Sequence, residues 1–377
     1  MKKLAIKVIT FVFCTVLFMP INSVYATGDL DNRIVILDPG HSAGYNNYEG
    51  YTEGDAMFEL ALKIKPLLEE RGATVYLTRE NGDSVDLVTR TSYANKIALE
   101  VLLEAYQQKL ELATKSEIID IQNKIDEINS LLPMLNNLCL DSKTYGPIYT
   151  NSPFDRTKQR KVHPDMKRVF ELQNDPEIAG RVLMISLHSN AVSNPSKSKA
   201  NGVDCFIITN TLNYFNDYSH TKENSLFGNK ILDNLSTLGF KRNSVSNVDY
   251  HIIREVNIPT ALVENGFHTN ESDRYKLQNS LNEMANVYVD TITEYFNSDL
   301  ILDSYNSDAI TISIDDKILE TNAKNQISHN KVWIPVSTIF DLLSSEINWN
   351  DETIRTTISL DGVIIDVNIN KMPTTKE

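Results

Sequence analysis

The chain has 377 residues and a formal net charge of −14, with 41% hydrophobic and 23% charged residues. These proportions are those of a globular protein long enough for two or three domains, and they exclude a disordered or fibrous chain. Because an acidic surface repels phosphates, the charge also argues against a nucleic-acid partner and against binding to anionic membranes.

The first 26 residues have the pattern of a secretory signal peptide. Three lysines, Lys2, Lys3 and Lys7, precede an apolar stretch at 8–19, and a small-residue cleavage site follows at 24–26. We therefore expect an exported chain that begins near Thr27 and has no membrane span after cleavage. The cysteines that remain form neither a disulfide framework nor a metal-binding CxxC pair, so we expect two idle thiols.

Alternating strand and helix patterns predict an α/β core. A buried strand at 33–37, a helix at 56–70 and a strand at 74–78 form a βαβ unit, which implies a parallel sheet. Further strands are predicted at 182–187, 203–209 and 260–264, and further helices at 223–238 and 273–296. The fold class is therefore α/β, with a mostly parallel central sheet flanked by helices.

Two segments depart from this alternation. Residues 97–140 carry two heptad seams and predict an antiparallel helical hairpin joined at Thr114-Lys115, followed by an irregular loop over 141–180. After a polar linker, alternating residues at 310–314 and on both sides of Asp361-Gly362 predict strands, with a helix at 335–343 between them. We therefore expect an inserted helical hairpin and a small C-terminal α+β domain.

Three polar motifs each follow a predicted strand of the sheet: Asp38-Pro39-Gly40-His41, His188-Ser189-Asn190 and Glu264-Asn265-Gly266-Phe267. Because ligands bind beyond the carboxyl ends of parallel strands, we expect these motifs to meet in one crevice, faced also by Glu53. Two imidazoles and one carboxylate leave a coordination position open for water, as in catalytic zinc sites. A second carboxylate can act as general base. Position alone does not decide which role belongs to Glu53 and which to Glu264.

The strings ILDPGH, YTEGDA, ISLHSN and IPTALVENGF, in this order, resemble the zinc-dependent N-acetylmuramoyl-L-alanine amidase family. The resemblance covers about residues 32–297 apart from the insert, and we assign 27–300 to this domain. It implies peptidoglycan as substrate and a zinc-activated water that cleaves the amide bond between N-acetylmuramic acid and L-alanine. The residue roles it implies are one Zn²⁺ bound by His41, Glu53 and His188, Glu264 as catalytic base, Asp38 orienting a ligand, and Asn190 and Arg254 near the substrate.

Two other functions use the same residues. A zinc peptidase cutting within the stem peptide would differ only in the specificity of its groove, and the family resemblance disfavours it. A catalytically silent cell-wall-binding protein would keep the fold for recognition. The complete set of His41, Glu53, His188 and Glu264 argues against this second alternative.

Residues 96–180 lie where the amidase family has a short connection. Some regulated members carry a helix here that covers the zinc ion with an acidic side chain. The insert is thus an inhibitory segment that uses Glu100, Glu104 or Glu111, a docking site for a protein activator, or a structural hairpin. We favour the structural hairpin, because these acids also fit ordinary exposed positions of a coiled coil.

Residues 301–377 resemble the copper amine oxidase-like stalk module of Gram-positive surface proteins, through ISIDDKIL, VWIPVSTIFDLL, INWN and the Asp361-Gly362 hairpin. The resemblance implies a secreted or cell-wall-associated protein of a Gram-positive bacterium. We expect no copper site in this module, because His329 is its only candidate ligand.

Overall fold

The structure is a computed structural model. It describes residues 29–80, 82–149, 162–209 and 218–305, and beyond them the strands between 312 and 368. The predicted signal peptide (1–26) and the predicted helix at 335–343 lie outside the described residues. Within the described part of the chain, no helix combines the length and the apolar character needed to span a membrane.

The strands that precede residue 300 are, in chain order, β1 (Ile34–Pro39), β2 (Asn47–Tyr48), β3 (Tyr51–Thr52), β4 (Thr74–Leu77), β5 (Val182–Asn190), β6 (Val203–Ile207), β7 (Arg242–Asn247) and β8 (Thr260–Phe267). The helices are α1 (Glu53–Glu70), α2 (Leu87–Leu112), α3 (Ile118–Leu140), α4 (Ser142–Tyr149), α5 (Pro164–Leu172), α6 (Pro176–Arg181), α7 (Thr221–Ser236), α8 (His251–Arg254), α9 (Glu271–Asn279), α10 (Leu281–Phe296) and α11 (Asp299–Tyr305).

Six strands form one sheet in the order β4-β1-β5-β8-β6-β7. Neighbouring strands are parallel except β6 and β8, which are antiparallel. The prediction of a mostly parallel central sheet is confirmed. The sequence patterns did not indicate β7, because this strand at the edge of the sheet consists mainly of polar residues.

Alternate residues of the central strands face two separate layers of helices. Val35 and Leu37 of β1 belong to the hydrophobic core shared with α1, α7 and α10. Ile34 and Ile36 belong to the core on the opposite face, shared with α2, α3 and α5. Because helices cover both faces of the sheet, β1 is buried along its whole length and has a continuous apolar sequence.

The predicted helical hairpin is formed by α2 and α3, which pack against each other. Its base is part of the domain core, because Leu99 and Leu102 of α2 and Ile128 of α3 are fully buried. Its tip is different. Ile118 and Ile119, at the start of α3, are exposed, so the heptad seam of α3 does not extend to the tip.

The prediction of an irregular loop over 141–180 is wrong, since α4, α5 and α6 occupy much of it. Pro164, one of the prolines that indicated a loop, is the first residue of α5, and Pro176 is the first residue of α6. At this position the missing amide hydrogen costs no hydrogen bond. His163 and Asp175 cap these two helices through their side chains. The predicted helix at 273–296 is also two helices, separated at Ser280.

The C-terminal segment contains β9 (Ile312–Ile314), β10 (Lys317–Leu319), β11 (Gln326–Ser328), β12 (Lys331–Trp333), β13 (Glu346–Asn350), β14 (Arg355–Leu360) and β15 (Val363–Asn368). β14 and β15 pair antiparallel, with Leu360 opposite Val363. The hairpin predicted around Asp361-Gly362 is therefore confirmed. The resemblance to a stalk module stays a prediction.

The two ends of α3 allow a matched test of how the hairpin is anchored. We expect Ile128→Ala to lower the free energy of unfolding by about 2–5 kcal/mol, because it leaves a cavity in the core. Ile119→Ala, at a position that is 68% exposed, should change it by less than about 0.5 kcal/mol. Denaturant unfolding of the two variants measures the difference. Equal effects would contradict a hairpin that is anchored only at its base.

Candidate active site

His41 leaves the carboxyl end of β1 in a left-handed backbone conformation, with φ of 59°. The loop that carries it is held by backbone and side-chain hydrogen bonds. The amide of Gly40 donates to the carbonyl of Leu187 at 2.8 Å. The buried guanidinium of Arg90 donates to the carbonyls of Pro39, at 2.7 Å, and His41. These contacts hold His41 beside β5.

His41, Glu53 and His188 form a compact cluster. Oε1 of Glu53 lies 3.3 Å from Nε2 of His41 and 3.0 Å from Nδ1 of His188. One donor atom from each residue lies within 4.8 Å of the other two. Donors bound to one tetrahedral zinc ion are about 3.3 Å apart, since each lies about 2.0–2.1 Å from the metal. The donor set and its spacing therefore fit a metal ion of this kind.

Glu53 is the first residue of α1 and is almost completely buried. Burial alone would raise the pKa of its carboxyl, but hydrogen bonds and charges from His188 and His41 hold that pKa well below its usual range. Oε1 also accepts from the amide of Ser189 at 3.0 Å, and Oε2 accepts from Nδ2 of Asn46 at 2.5 Å. Glu53 is thus a fixed carboxylate whose Oε1 faces both histidines.

Glu264 lies on β8, directly opposite His188 of β5 in the parallel register. Its Oε2 atom is buried and has no hydrogen-bond partner among the residues that the structure describes. Burial raises the pKa of the Glu264 carboxyl to about 7, with His188 lowering it and Glu53 raising it further. A carboxyl with this pKa can both accept and release a proton near neutral pH. The surroundings of Glu53 therefore stabilise its charged form, whereas those of Glu264 favour its neutral form.

A cavity of about 790 Å³ opens over the cluster. Its floor includes His41, His188 and Glu264, and its walls come from the start of α2 and the start of α8. The motifs predicted to follow strands in fact form the last residues of β5 and β8. The cavity therefore lies at the carboxyl ends of the parallel strands, as expected for this sheet topology.

Behind the cluster lies a hydrogen-bonded group that sequence reasoning missed. The hydroxyl of Tyr51 donates to Oγ of Ser189 at 2.9 Å, and this Oγ is 3.0 Å from Nδ1 of His268. The ring of Tyr51 also stacks on the imidazole of His268. Because the backbone amide of Ser189 binds Glu53, these contacts hold the carboxylate from behind. Tyr51 and Ser189 are 138 residues apart, so no local pattern indicates the contact.

Comparison with models of protein families identified a match over most of the domain. The family model described as N-acetylmuramoyl-L-alanine amidase matches residues 35–105 and 126–294, which is more than half of the chain. The chain belongs to this family. The prediction that it is an enzyme of the N-acetylmuramoyl-L-alanine amidase class is thereby confirmed. The two matched segments leave out residues 106–125, the tip of the hairpin.

Several solved structures of amidases are similar to this chain. The catalytic domain of CwlV from Bacillus (Paenibacillus) polymyxa var. colistinus is 16% identical, with a TM-score of 0.42, over 70% of this chain and 98% of that one. An amidase from Clostridium difficile 630 is 15% identical, with a TM-score of 0.43, over 71% and 98%. Ami1 from Mycobacterium smegmatis is 14% identical, with a TM-score of 0.42, over 71% and 98%. Comparison with curated protein sequences gave no match.

Asp38 of this amidase acts on the histidine loop through Arg90. Its carboxylate accepts hydrogen bonds from Arg90 at 2.9 Å, from Ser186 at 2.6 Å and from Thr78. Burial would raise the pKa of Asp38, but Arg90 and the two hydroxyls hold it below the ordinary value of 3.8. Through Arg90, Asp38 thus orients the backbone of the loop that carries His41.

Neither Asn190 nor Arg254 lines the cavity. Asn190 ends β5, where its backbone carbonyl accepts from the amide of His268 at 2.9 Å. Arg254 is buried, and two carboxylates pair with its guanidinium, Asp249 at 2.8 Å and Glu255 at 2.8 Å. That these two side chains lie near the substrate stays a prediction.

The three acids of the insert also lie away from the cluster. Glu104 pairs with Arg181 at 3.1 Å, and Glu100 lies 3.6 Å from Lys96. Neither these two nor Glu111 lines the cavity. They lie along α2, whose apolar face packs on the sheet, and so do not cover the histidines in this conformation.

The buried pair of Asp38 and Arg90 predicts a large effect on stability. Arg90→Met should lower the free energy of unfolding at pH 7 by about 3–5 kcal/mol, because it leaves a buried carboxylate without its cation. Without Arg90, burial would place the folded-state pKa of Asp38 above its unfolded value. The destabilisation should therefore shrink as the pH falls through that raised pKa, where Asp38 becomes neutral.

The matched control is Arg71→Met, which removes the surface pair of Arg71 and Asp290. That change should alter the free energy of unfolding by no more than about 1 kcal/mol. Urea unfolding of both variants at pH 7 and near pH 4 makes the comparison. A pH-independent effect of Arg90→Met would contradict the electrostatic explanation.

Proposed function

We propose that the enzyme cleaves the amide between N-acetylmuramic acid and L-alanine of peptidoglycan by means of one zinc ion held by His41, Glu53 and His188. The observation that carries this proposal is the convergence of the three donor atoms on one point below the cavity. Membership of the amidase family supports the choice of bond, and the donor set of two imidazoles and one carboxylate supports zinc with a position left open.

A zinc ion in such a site lowers the pKa of a bound water to about 7 and polarises a carbonyl oxygen. Glu264 accepts the proton of the attacking water. It then delivers this proton to the alanine nitrogen as the C–N bond breaks, so the leaving group departs as a neutral amine. Burial raises the pKa of the Glu264 carboxyl above its ordinary value, which makes it a stronger base for this proton transfer.

The residues around this site keep the groups in place. Gly40 leaves room for the imidazole of His188, since a Cβ atom at this position would lie 2.5 Å from Cε1 of that ring. Asn46 and Ser189 hold the two oxygens of Glu53. With the carboxylate fixed and both histidines in contact with it, the cluster requires little reorganisation to bind a metal ion.

The decisive experiment is a digest of purified peptidoglycan with residues 27–377, analysed by mass spectrometry. We expect free stem peptides that begin with L-alanine, and we expect a chelator to abolish their release. Glu264→Gln should lower the rate about 10²–10⁴-fold, since it removes the general base. The same variant should retain its zinc, whereas His188→Ala should lose it.

The two alternative functions predict different products. Fragments cut within the stem peptide would show a zinc peptidase instead. A protein that binds peptidoglycan and zinc but releases no fragment would be a catalytically silent wall-binding protein. Loss of zinc in Glu264→Gln would contradict the assignment of this residue as base.

Export and attachment to the cell wall of a Gram-positive bacterium belong to the same proposal. They are supported by the signal-peptide pattern at 1–26, by the substrate of the amidase family and by the resemblance of 301–377 to a stalk module. Docking of a protein activator on the insert stays a prediction.

The hairpin tip can be removed without cutting the core. Replacing residues 107–123 with a short Gly-Ser linker leaves the buried residues of α2 and α3 in place. If the insert is a structural hairpin, the purified enzyme should digest peptidoglycan at an unchanged rate, because the tip lies outside the part matched by the family model. A faster digest would support an inhibitory insert, and a slower digest by a folded variant would indicate that the tip contributes to activity.

A further inference from the structure

Three exposed hydrophobic side chains line the cavity. Tyr45 is 54% exposed, Leu87 is 49% exposed and Tyr250 is 45% exposed, and all three line the same opening. They come from separate segments, namely the loop after β1, the first residue of α2 and the residue before α8. Exposed apolar side chains that converge on one concave site mark a surface that is used for binding.

Tyr45 is held directly beside the metal cluster. Its ring stacks on the imidazole of His41, with a centroid distance of 4.4 Å and an interplanar angle of 19°. One face of the tyrosine is therefore packed on a predicted zinc ligand. Because more than half of the residue is exposed, the remaining surface of the ring is available to a molecule in the cavity mouth.

Tyr250 and Leu87 lie on the walls of the same opening. The ring of Tyr250 packs edge to face against Phe206, with a centroid distance of 5.3 Å. Leu87 begins α2 directly after Asp86, whose carboxylate is occupied by the amides of Val88 and Thr89. Tyr250 and Leu87 thus present apolar surface at the rim, while the carboxylate of Asp86 beside them is already hydrogen-bonded.

We propose that Tyr45, Leu87 and Tyr250 form a subsite for the muramoyl sugar ring of the substrate. This inference rests on the proposed function and assigns one side of the scissile amide to the rim. The carbonyl side of that amide is joined to the sugar through a short lactyl group, whereas the amine side begins with alanine, whose methyl group is too small to stack. The C–H face of a pyranose ring fits an aromatic face next to the metal cluster.

Binding measurements on the full chain in the Glu264→Gln background test the subsite without turnover. The two ligands are N-acetylmuramoyl-L-alanyl-D-isoglutamine and acetyl-L-alanyl-D-isoglutamine, which share the amide but differ in the sugar. We expect the Glu264→Gln protein, the parent of the further variants, to bind the sugar-bearing ligand more tightly than the acetyl peptide. Tyr45→Ala and Tyr250→Ala should each weaken its binding about three- to tenfold and leave the acetyl peptide unaffected.

Two variants serve as controls. Tyr45→Phe keeps the ring and should bind the sugar-bearing ligand as the parent does. Tyr275→Ala removes a tyrosine that is 67% exposed but does not line the cavity, and it should have no effect. The zinc content of every variant is measured, because Tyr45 packs on His41. Tyr250 has no such contact with the cluster, so its variant decides the result if Tyr45→Ala loses metal.

Equal weakening of both ligands would overturn the proposal, since the rim would then contact the peptide. Unchanged affinity in both alanine variants would also overturn it. If wild-type enzyme releases stem peptides but the parent binds both ligands equally, the sugar subsite is refuted and the amidase proposal stands. If wild-type enzyme releases no stem peptides, the proposed function itself fails.

Discussion

The parallel pairing of β5 with β1 on one side and β8 on the other is the constraint on which the site depends. Pro39 pairs with Leu187, and one residue farther along β5 His188 pairs with Glu264. Because the strands run in the same direction and in this register, their last residues reach the same edge of the sheet. A shift of one residue in either pairing would turn His188 or Glu264 to the opposite face.

Glu53 and Glu264 lie close together, yet the pKa values of their carboxyl groups are shifted in opposite directions. Glu53 is surrounded by hydrogen-bond donors, and both histidines favour its charge, so it is a carboxylate. Within the described part of the chain, Oε2 of Glu264 is buried without a hydrogen-bond partner, and Glu53 is a close neighbour, so the pKa of Glu264 rises to about 7. A ligand needs a stable negative charge and a base needs a proton affinity near the working pH. The surroundings of the two residues match the roles proposed for them.

A layer of buried polar contacts fixes the loops that the sheet alone would leave free. Arg90 links Asp38 to the carbonyl of His41, and Tyr51, Ser189 and His268 support Glu53 from behind. Tyr45 adds an aromatic contact on the outer side of His41. Each of these groups comes from a different element. The precision of the cluster therefore depends on the packing of the whole domain, and the exposed tip of the hairpin is remote from it.

The sequence by itself determined the α/β architecture, the helical hairpin and the set of His41, Glu53, His188 and Glu264. It could do so because strand and helix periodicity and short polar motifs are local properties of the chain. Pro164 wrongly indicated a loop, since the residue type that breaks a helix in its interior also favours its first position. Only the tertiary structure decided that Asp38 acts through Arg90, that Arg254 is buried and that Tyr51 and Ser189 support Glu53. These contacts join residues far apart in the chain, and they exist only because folding brings their elements together.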